Sequence, residues 1–445
     1  MTRRWTAAAC LSAAACGSPA QPTERSGWST PIAIADVTRR SEVASFSRVS
    51  CVAGTGDGAA LVFWVRREAD ADEIRARALS AGDDLGPEEP VQDDQRLPRV
   101  NDLRCATDET GEGYASWIEF SGRQVRVVAR RITPAGLDAT TVPLDAFDAS
   151  SFWGSSPQHD LAVSGGRALA VWRSPEGLRA ATATDGLWTH AGLVTNASVF
   201  PLGIGVDLRG RRGAVVYVQS GRRDNGSVHE AWVRLLDDAG RFGPPVWLGW
   251  GRWINYVEPV IDEAGHVMVA SLHMTYAQLL TISRWRGADW STETTDAMGA
   301  ANGGLLFSGA PDGSAVALRS SEHGPLLDAA RWAPGEVVPA IETVSDAAPE
   351  ARGHTLTIDA ATGAVHAAWV AEGRPWLASS TRPGEWQAAV VPGARRPPPV
   401  CPAESPGSGA SEPRLVLDGR GGLLAAWIEG ECGTASLRVQ RRRAP

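Results

Sequence analysis

The chain contains no lysine: all 43 of its basic residues are arginine. A P-loop needs a lysine to reach nucleotide phosphates, a pyridoxal-phosphate enzyme needs one for its Schiff base, and a protein kinase needs one on its nucleotide-binding strand. Those classes are excluded. Tyrosine and methionine are scarce, with four of each. Beyond the first residues no apolar run approaches the ~20 residues of a membrane-spanning helix. There is no Cys-x-x-Cys, no His-Glu-x-x-His, no zinc-type Cys/His spacing and no Gly-x-Ser-x-Gly elbow. With a formal net charge of −8, the chain also lacks the basic surface that nucleic-acid binding requires. No cofactor, no metal and no nucleic-acid partner are therefore expected.

What is present begins with an address. Arg3 and Arg4 precede a short run of small apolar residues ending in Leu11-Ser12-Ala13-Ala14-Ala15-Cys16-Gly17. Such a run reads as an export signal, too short to span a bilayer as a mature helix. Its end resembles the lipobox of bacterial lipoproteins, in which a cysteine after small residues is acylated and becomes the new N-terminus. That resemblance implies residues 1–16 as signal and lipobox, with Cys16 carrying lipid and Cys10 as a competing site. Residues 17–25 follow as a flexible tether. The protein would then be exported to the periplasm, outer membrane or cell surface, and would touch a membrane through its anchor alone. A plainly cleaved signal peptide is the alternative.

A unit of about 50 residues recurs through residues 26–445. A turn ends in glycine, and an alternating small/apolar strand follows, with a large residue six positions on. The anchors are Trp64, Trp117, Trp172, Tyr217, Ser271, Arg319, Trp369 and Trp427, and their turn glycines include Gly58, Gly111, Gly265 and Gly421. In the Tyr217 copy Arg211 stands where the glycine should be. A strand precedes each turn and two follow each anchor, so each unit supplies four strands. Eight such units predict an all-β fold, an eight-bladed β-propeller, with seven blades as the alternative. The last unit runs out before its fourth strand. The missing piece resembles Gly27-Trp28-Ser29-Thr30-Pro31-Ile32, so residues 26–36 are expected to complete the last blade and leave no free sheet edge. A single ring of this kind suits a monomer.

The repeat also orders the cysteines. Cys51 and Cys105 hold nearly matching positions in neighbouring units, while Cys401 and Cys432 flank the last hairpin. The expected disulfides are Cys51–Cys105 and Cys401–Cys432, as suits an oxidising compartment.

Several residues stand apart as candidate ligand contacts. Asp102, His159, Asp160, Glu258 and Glu412 enter the first strands of their units, which in a propeller gather at one mouth of the central channel. An acidic rim there could hold a cation or a basic ligand, or could simply be solvated. Trp247, Trp250, Trp253 and Tyr256 crowd the junction of the fourth and fifth units. They either wedge two blades together or expose Trp250 and Trp253 to stack on a glycan or peptide. His266, Met268, His273 and Met274 also cluster, but strand alternation puts His273 on the opposite face from His266 and Met268, so they are expected to be core and loop residues.

The aspartate turn, its glycine and the following tryptophan resemble degenerate Asp-box repeats of sialidase-like propellers. Asp359-Ala-Ala-Thr362-Gly363 faintly resembles the Thr-Gly signature of quinone-dependent dehydrogenase propellers. The Ser-x-Asp-x-Gly-x-x-Trp order is met in no copy, so no catalytic residue carries over. The expected function is an exported lipoprotein whose ring is a non-catalytic platform for a protein or glycan. The alternative, a glycan-active sialidase-like hydrolase, requires an accessible Tyr–Glu pair amid several arginines. A quinone-dependent oxidoreductase is a third option.

Overall fold

The glycine that opens each repeat has a physical cause. Gly58, Gly111, Gly166, Gly265, Gly313, Gly363 and Gly421 all take positive φ, between 69° and 86°. A side chain is strained in that left-handed conformation. In the copy with Arg211, the neighbouring Gly210 takes φ 57° instead, so the turn is kept by a one-residue shift. Aspartates close most of these turns by accepting backbone hydrogen bonds. Asp108 accepts from the Thr110 and Glu112 N–H groups, and Asp418 from those of Arg420 and Gly422.

The computed structural model describes residues 27–38, 51–67, 72–93, 99–148, 158–195, 201–223, 226–274, 278–295, 305–320, 327–345, 352–394, 409–431 and 434–443. These residues form eight antiparallel sheets of four strands each. We number the blades from the one that begins at Cys51. Their first strands are Cys51–Gly54, Arg99–Thr107, His159–Ser164, Pro201–Arg209, Trp253–Ile261, Leu305–Gly309, Arg352–Ile358 and Gly409–Leu417. Each first strand touches the next around the ring, and the last touches the first, so these strands form the hub. The chain is an eight-bladed β-propeller, and the seven-bladed alternative is ruled out.

Closure follows the expected route. In blade 8 the strands run from hub to rim as Gly409–Leu417, Leu423–Glu431, Thr434–Arg442 and, from the other end of the chain, Ile32–Thr38. Ile32 pairs with Val439 and Thr38 with Thr434, while Trp28 bridges Arg442.

The core is a set of eight apolar seams between neighbouring blades. Trp117 of blade 2 packs against blade 1, Trp172 of blade 3 against blade 2, and Trp369 of blade 7 against blade 6. All three are fully buried, which gives the anchor tryptophans the packing role that large aromatics favour. Where the anchor is Arg319, Trp332 on the next strand fills the seam in its place.

The expected bridge joins Cys51 to Cys105, with Cα atoms 5.9 Å apart, and so staples the hub strands of blades 1 and 2. Cys16, Cys401 and Cys432 lie outside the described residues, as does the side chain of Glu412. Among the described residues no helix is long and apolar enough to cross a membrane.

Candidate functional site

Each hub strand runs from a start face to the turn face. Along the hub strands of blades 2 to 5, polar side chains reach across the seams. Asp102 has φ 55° and sits in a bulge where the strand pairing shifts between Asn101 and Arg104. Its Oδ2 accepts the His159 N–H at 3.1 Å. The same device recurs around the hub. Asp160 Oδ2 accepts the Val206 N–H at 3.1 Å, Asp207 Oδ2 accepts the Ile261 N–H at 2.6 Å, and the Tyr256 hydroxyl accepts the Phe307 N–H at 2.8 Å. One blade thus supplies the acceptor and the next supplies a hub-strand donor, four times in succession.

The structure therefore brings Asp102, His159, Asp160 and Glu258 to one region, together with Arg104 and Asp207. Four carboxylates share the enclosure with the Arg104 guanidinium, which lies 3.1 Å from Asp102 and keeps 49% of its side chain open to water. Enclosure works to raise the Asp102 carboxyl, but Arg104, His159 and hydrogen bonds outweigh it and hold Asp102 well below the usual carboxylate range. Asp160 is raised, by enclosure first and then by its carboxylate neighbour Asp102. Glu258 is raised further, by enclosure and by the charges of Asp160 and Asp207. Enclosure pushes Asp207 up to about 6, against its two backbone donors.

A pH prediction follows for Asp207. An acid whose folded pKa exceeds its unfolded value of 3.8 contributes stability at low pH that is lost as pH rises through the folded value near 6. Acidification from about pH 7 to 5 should therefore favour wild type over Asp207→Asn by about 1 kcal/mol, measured as the change in their difference in unfolding free energy. Parallel stability–pH curves for the two proteins would contradict the assignment.

One alignment has the look of catalytic machinery. Ser116 Oγ lies 2.9 Å from His159 Nε2, and His159 Nδ1 lies 3.2 Å from Asp102 Oδ2. A serine nucleophile must meet its substrate. Ser116 is fully buried in the second strand of blade 2 and His159 is buried beside it, so the three groups act here as a hydrogen-bonded brace across the seam.

The junction of blades 4 and 5 is different. Trp247, Trp250 and Trp253 expose 46%, 42% and 51% of their surface. Tyr256 turns inward to serve as a hub latch. Trp253 packs edge-on against His229, with centroids 5.0 Å apart and planes at 82°, and the next N–H, that of Ile254, bonds His229 Nδ1 at 3.1 Å. The Trp250 carbonyl lies 3.1 Å from Nδ1 of the buried His273, whose Nε2 pairs with Ser271 Oγ at 2.7 Å. His266 instead sits in an exposed turn, 2.9 Å from Asp262. Among the described residues no group of three or more His, Cys, Asp or Glu side chains is placed to hold a metal ion.

Sequence reasoning passed over Arg104, Asp207 and the latch role of Tyr256. The available signal was an acceptor recurring once per repeat near the hub, which strand alternation alone does not separate from solvated charge.

No protein-family model matches the chain, and no curated protein matches it in sequence. Solved structures are similar to it over most of its length. Puromycin hydrolase is 17% identical, with 89% of this chain and 62% of that one covered at a TM-score of 0.45. AztD of Citrobacter koseri is 12% identical, with 85% and 91% covered at 0.45. Oligopeptidase B of Trypanosoma brucei is 10% identical, with 86% and 53% covered at 0.45. The chain thus spans about three fifths of the length of the puromycin hydrolase it matches. At these identities and TM-scores the likeness carries no argument about activity, substrate or partner.

Proposed function

We propose that this protein is an exported, lipid-anchored binding platform that holds a glycan on the start face of its ring without transforming it. The observation that carries this reading is the trio of half-exposed tryptophans at the junction of blades 4 and 5. The anchor tryptophans are buried in the seams, so these three stand out by their exposure. A flat indole offers a face to the apolar side of a sugar ring while its edge stays wet. The exposed Arg252, between Trp250 and Trp253, supplies donors for hydroxyl groups. His229 and His273 brace the local backbone and the Trp253 ring, which lowers the ordering cost of binding. A sialidase-like reading fits less well. Tyr256 commits its hydroxyl to Phe307, and Arg104 is held by Asp102.

The test uses the native anchored protein. Radiolabelled fatty acid should attach to wild type and fail to attach to Cys16→Ser. On a glycan array, the Trp250→Ala/Trp253→Ala variant should lose at least tenfold in affinity for the glycan that wild type retains, which is about 1.4 kcal/mol or more. Its melting temperature should be nearly unchanged, because exposed side chains add little to stability. Equal glycan binding by the variant, or no glycan bound by wild type, would overturn the glycan claim. Equal labelling of Cys16→Ser would overturn the anchor.

A further inference from the structure

The turn face of the ring, roughly 25 Å along the hub strands from Trp253 at ~3.3 Å per residue, carries a second concavity. It is a cavity of about 1250 Å³ at the hub mouth, reaching into the seam between blades 7 and 8. Its wall includes apolar surface from Val163, Ile358 and Val416. Four guanidiniums border it, those of Arg209, Arg420, Arg442 and Arg443. Of the three carboxylates present, Asp108 and Asp359 are taken up by hairpin-turn donors, Asp108 by its own turn and that of blade 3. Asp108 accepts from Thr110, Glu112 and Gly166, and Asp359 from Ala361 and Thr362. Glu109 is exposed. Arg209 donates to the Ile261 carbonyl, Arg443 lies 3.7 Å from Asp83 and Arg420 lies near Asp57, so Arg442 is the basic group that the cavity leaves without a carboxylate, beside a wall that is apolar within.

Arg442 is the informative member. Among the described residues it has no carboxylate partner, and its Nη1 donates to Ser379 Oγ at 2.9 Å. The same Oγ lies 2.8 Å from His366 Nδ1. Arginine can only donate, so Ser379 accepts from it and gives its own proton to Nδ1. The neutral imidazole must then carry its hydrogen on Nε2, for which the described residues offer no partner. Burial and the adjacent Arg442 charge push His366 down to about 4, so the ring stays neutral at ordinary pH. The remaining Arg442 N–H groups and the Nε2–H form a set of donors beside an apolar wall, without an acceptor to meet them.

We infer that this cavity is a binding site for a small organic anion, an oxyanion head held by Arg442 and His366 on a body that packs against Val163, Ile358 and Val416. The head can be a carboxylate or a phosphate, since the guanidinium fork suits both. This site is independent of the glycan surface on the opposite face.

Isothermal titration of the full chain with octanoate, octyl phosphate and octylamine tests it. The two anions should bind saturably with one site per chain, and octylamine should not. The stronger of the two anions identifies the head the site prefers. Arg442→Gln should weaken anion binding at least tenfold. In wild type, saturating octanoate should shift the His366 imidazole resonances and raise its pKa, a readout that stands even if Arg442→Gln does not fold. Equal binding of octylamine, an affinity unchanged within twofold in a folded Arg442→Gln, or unmoved His366 resonances would overturn the site.

Discussion

A chain lacking Gly27–Ile34 should melt about 8 °C or more below the full protein, through a broader transition, and should self-associate. The segment contributes the start of the rim strand of blade 8. Ile34 is buried in the seam between blades 8 and 1, and Trp28 packs into the seam between blades 7 and 8. Ser29 donates to the Arg441 carbonyl at 2.8 Å, Gln440 bonds the Ser29 carbonyl at 2.5 Å, and Arg77 of blade 1 bonds the Ile34 carbonyl at 2.6 Å. Burying the two side chains is worth about 4 kcal/mol at ~2 kcal/mol each, and several hydrogen bonds add ~1 kcal/mol apiece, for a total on the order of 8 kcal/mol. A chain this long has an unfolding entropy of about 0.9 kcal/mol/K, which converts that loss to about 8 °C. The broader transition and the association share one cause. Without these pairings, Arg438–Arg442 presents an open edge to solvent and to other chains. A synthetic peptide of residues 26–38 added in trans should restore the melting temperature. If the truncated chain melted with the intact one, closure by this strand would carry no stability.

The neighbouring buried charges locate where such a truncation does further damage. Arg441, in the strand that pairs with the lost segment, contacts Asp418 of its own blade at 2.7 Å and Asp83 of blade 1 at 2.9 Å. It is nearly fully buried, and a buried pair stabilises only while every partner stays in place. Loosening the closing strand therefore loosens the ion pairs that tie blade 8 to blade 1, and the ring opens at that seam first.

The ring was legible in the sequence because its periodicity comes from backbone demands. A left-handed glycine is needed at every hairpin, a capping aspartate serves most of them, and a large side chain is needed in nearly every seam. Even the irregular copies obey this: Gly210 substitutes for the position of Arg211, and Trp332 for that of Arg319. The pairing of Cys51 with Cys105 was legible for the same reason, since matching offsets in adjacent repeats become neighbouring points on the hub. The hub latches were only half legible. Asp102, His159 and Asp160 stood out as polar residues entering hub strands, but their partners Val206 and His159 N–H are backbone groups on the next blade, which leave no mark in composition. The turn-face site was not legible at all. Arg442, Ser379 and His366 come from two neighbouring blades, and their contacts lie between positions more than a dozen residues apart that no repeat pattern marks.

Replacing Cys51 and Cys105 by alanine should cost roughly 4 kcal/mol, the loop-closure entropy of a cross-link spanning 54 residues. That corresponds to about 4 °C at the unfolding entropy of this chain. Both sulfur positions lie in the apolar seam between blades 1 and 2, so alanine removes little packing and the loss reports mainly on the cross-link. The same seam is otherwise held by weaker links, such as Asp72 Oδ2 accepting the Val100 N–H at 2.9 Å. Reductant should lower the melting temperature of wild type by a similar amount and leave the Cys51→Ala/Cys105→Ala variant unmoved. Equal melting of oxidised wild type, reduced wild type and variant would mean that the bridge adds nothing to the ring. The experiment also bears on the export proposal. A cross-link of this kind persists where thiols are oxidised and is rare in a reducing cytosol. Protein recovered from the cell envelope should therefore carry Cys51 and Cys105 joined, and the same chain expressed without residues 1–16 and kept in the cytosol should carry them as thiols and melt at the lower temperature.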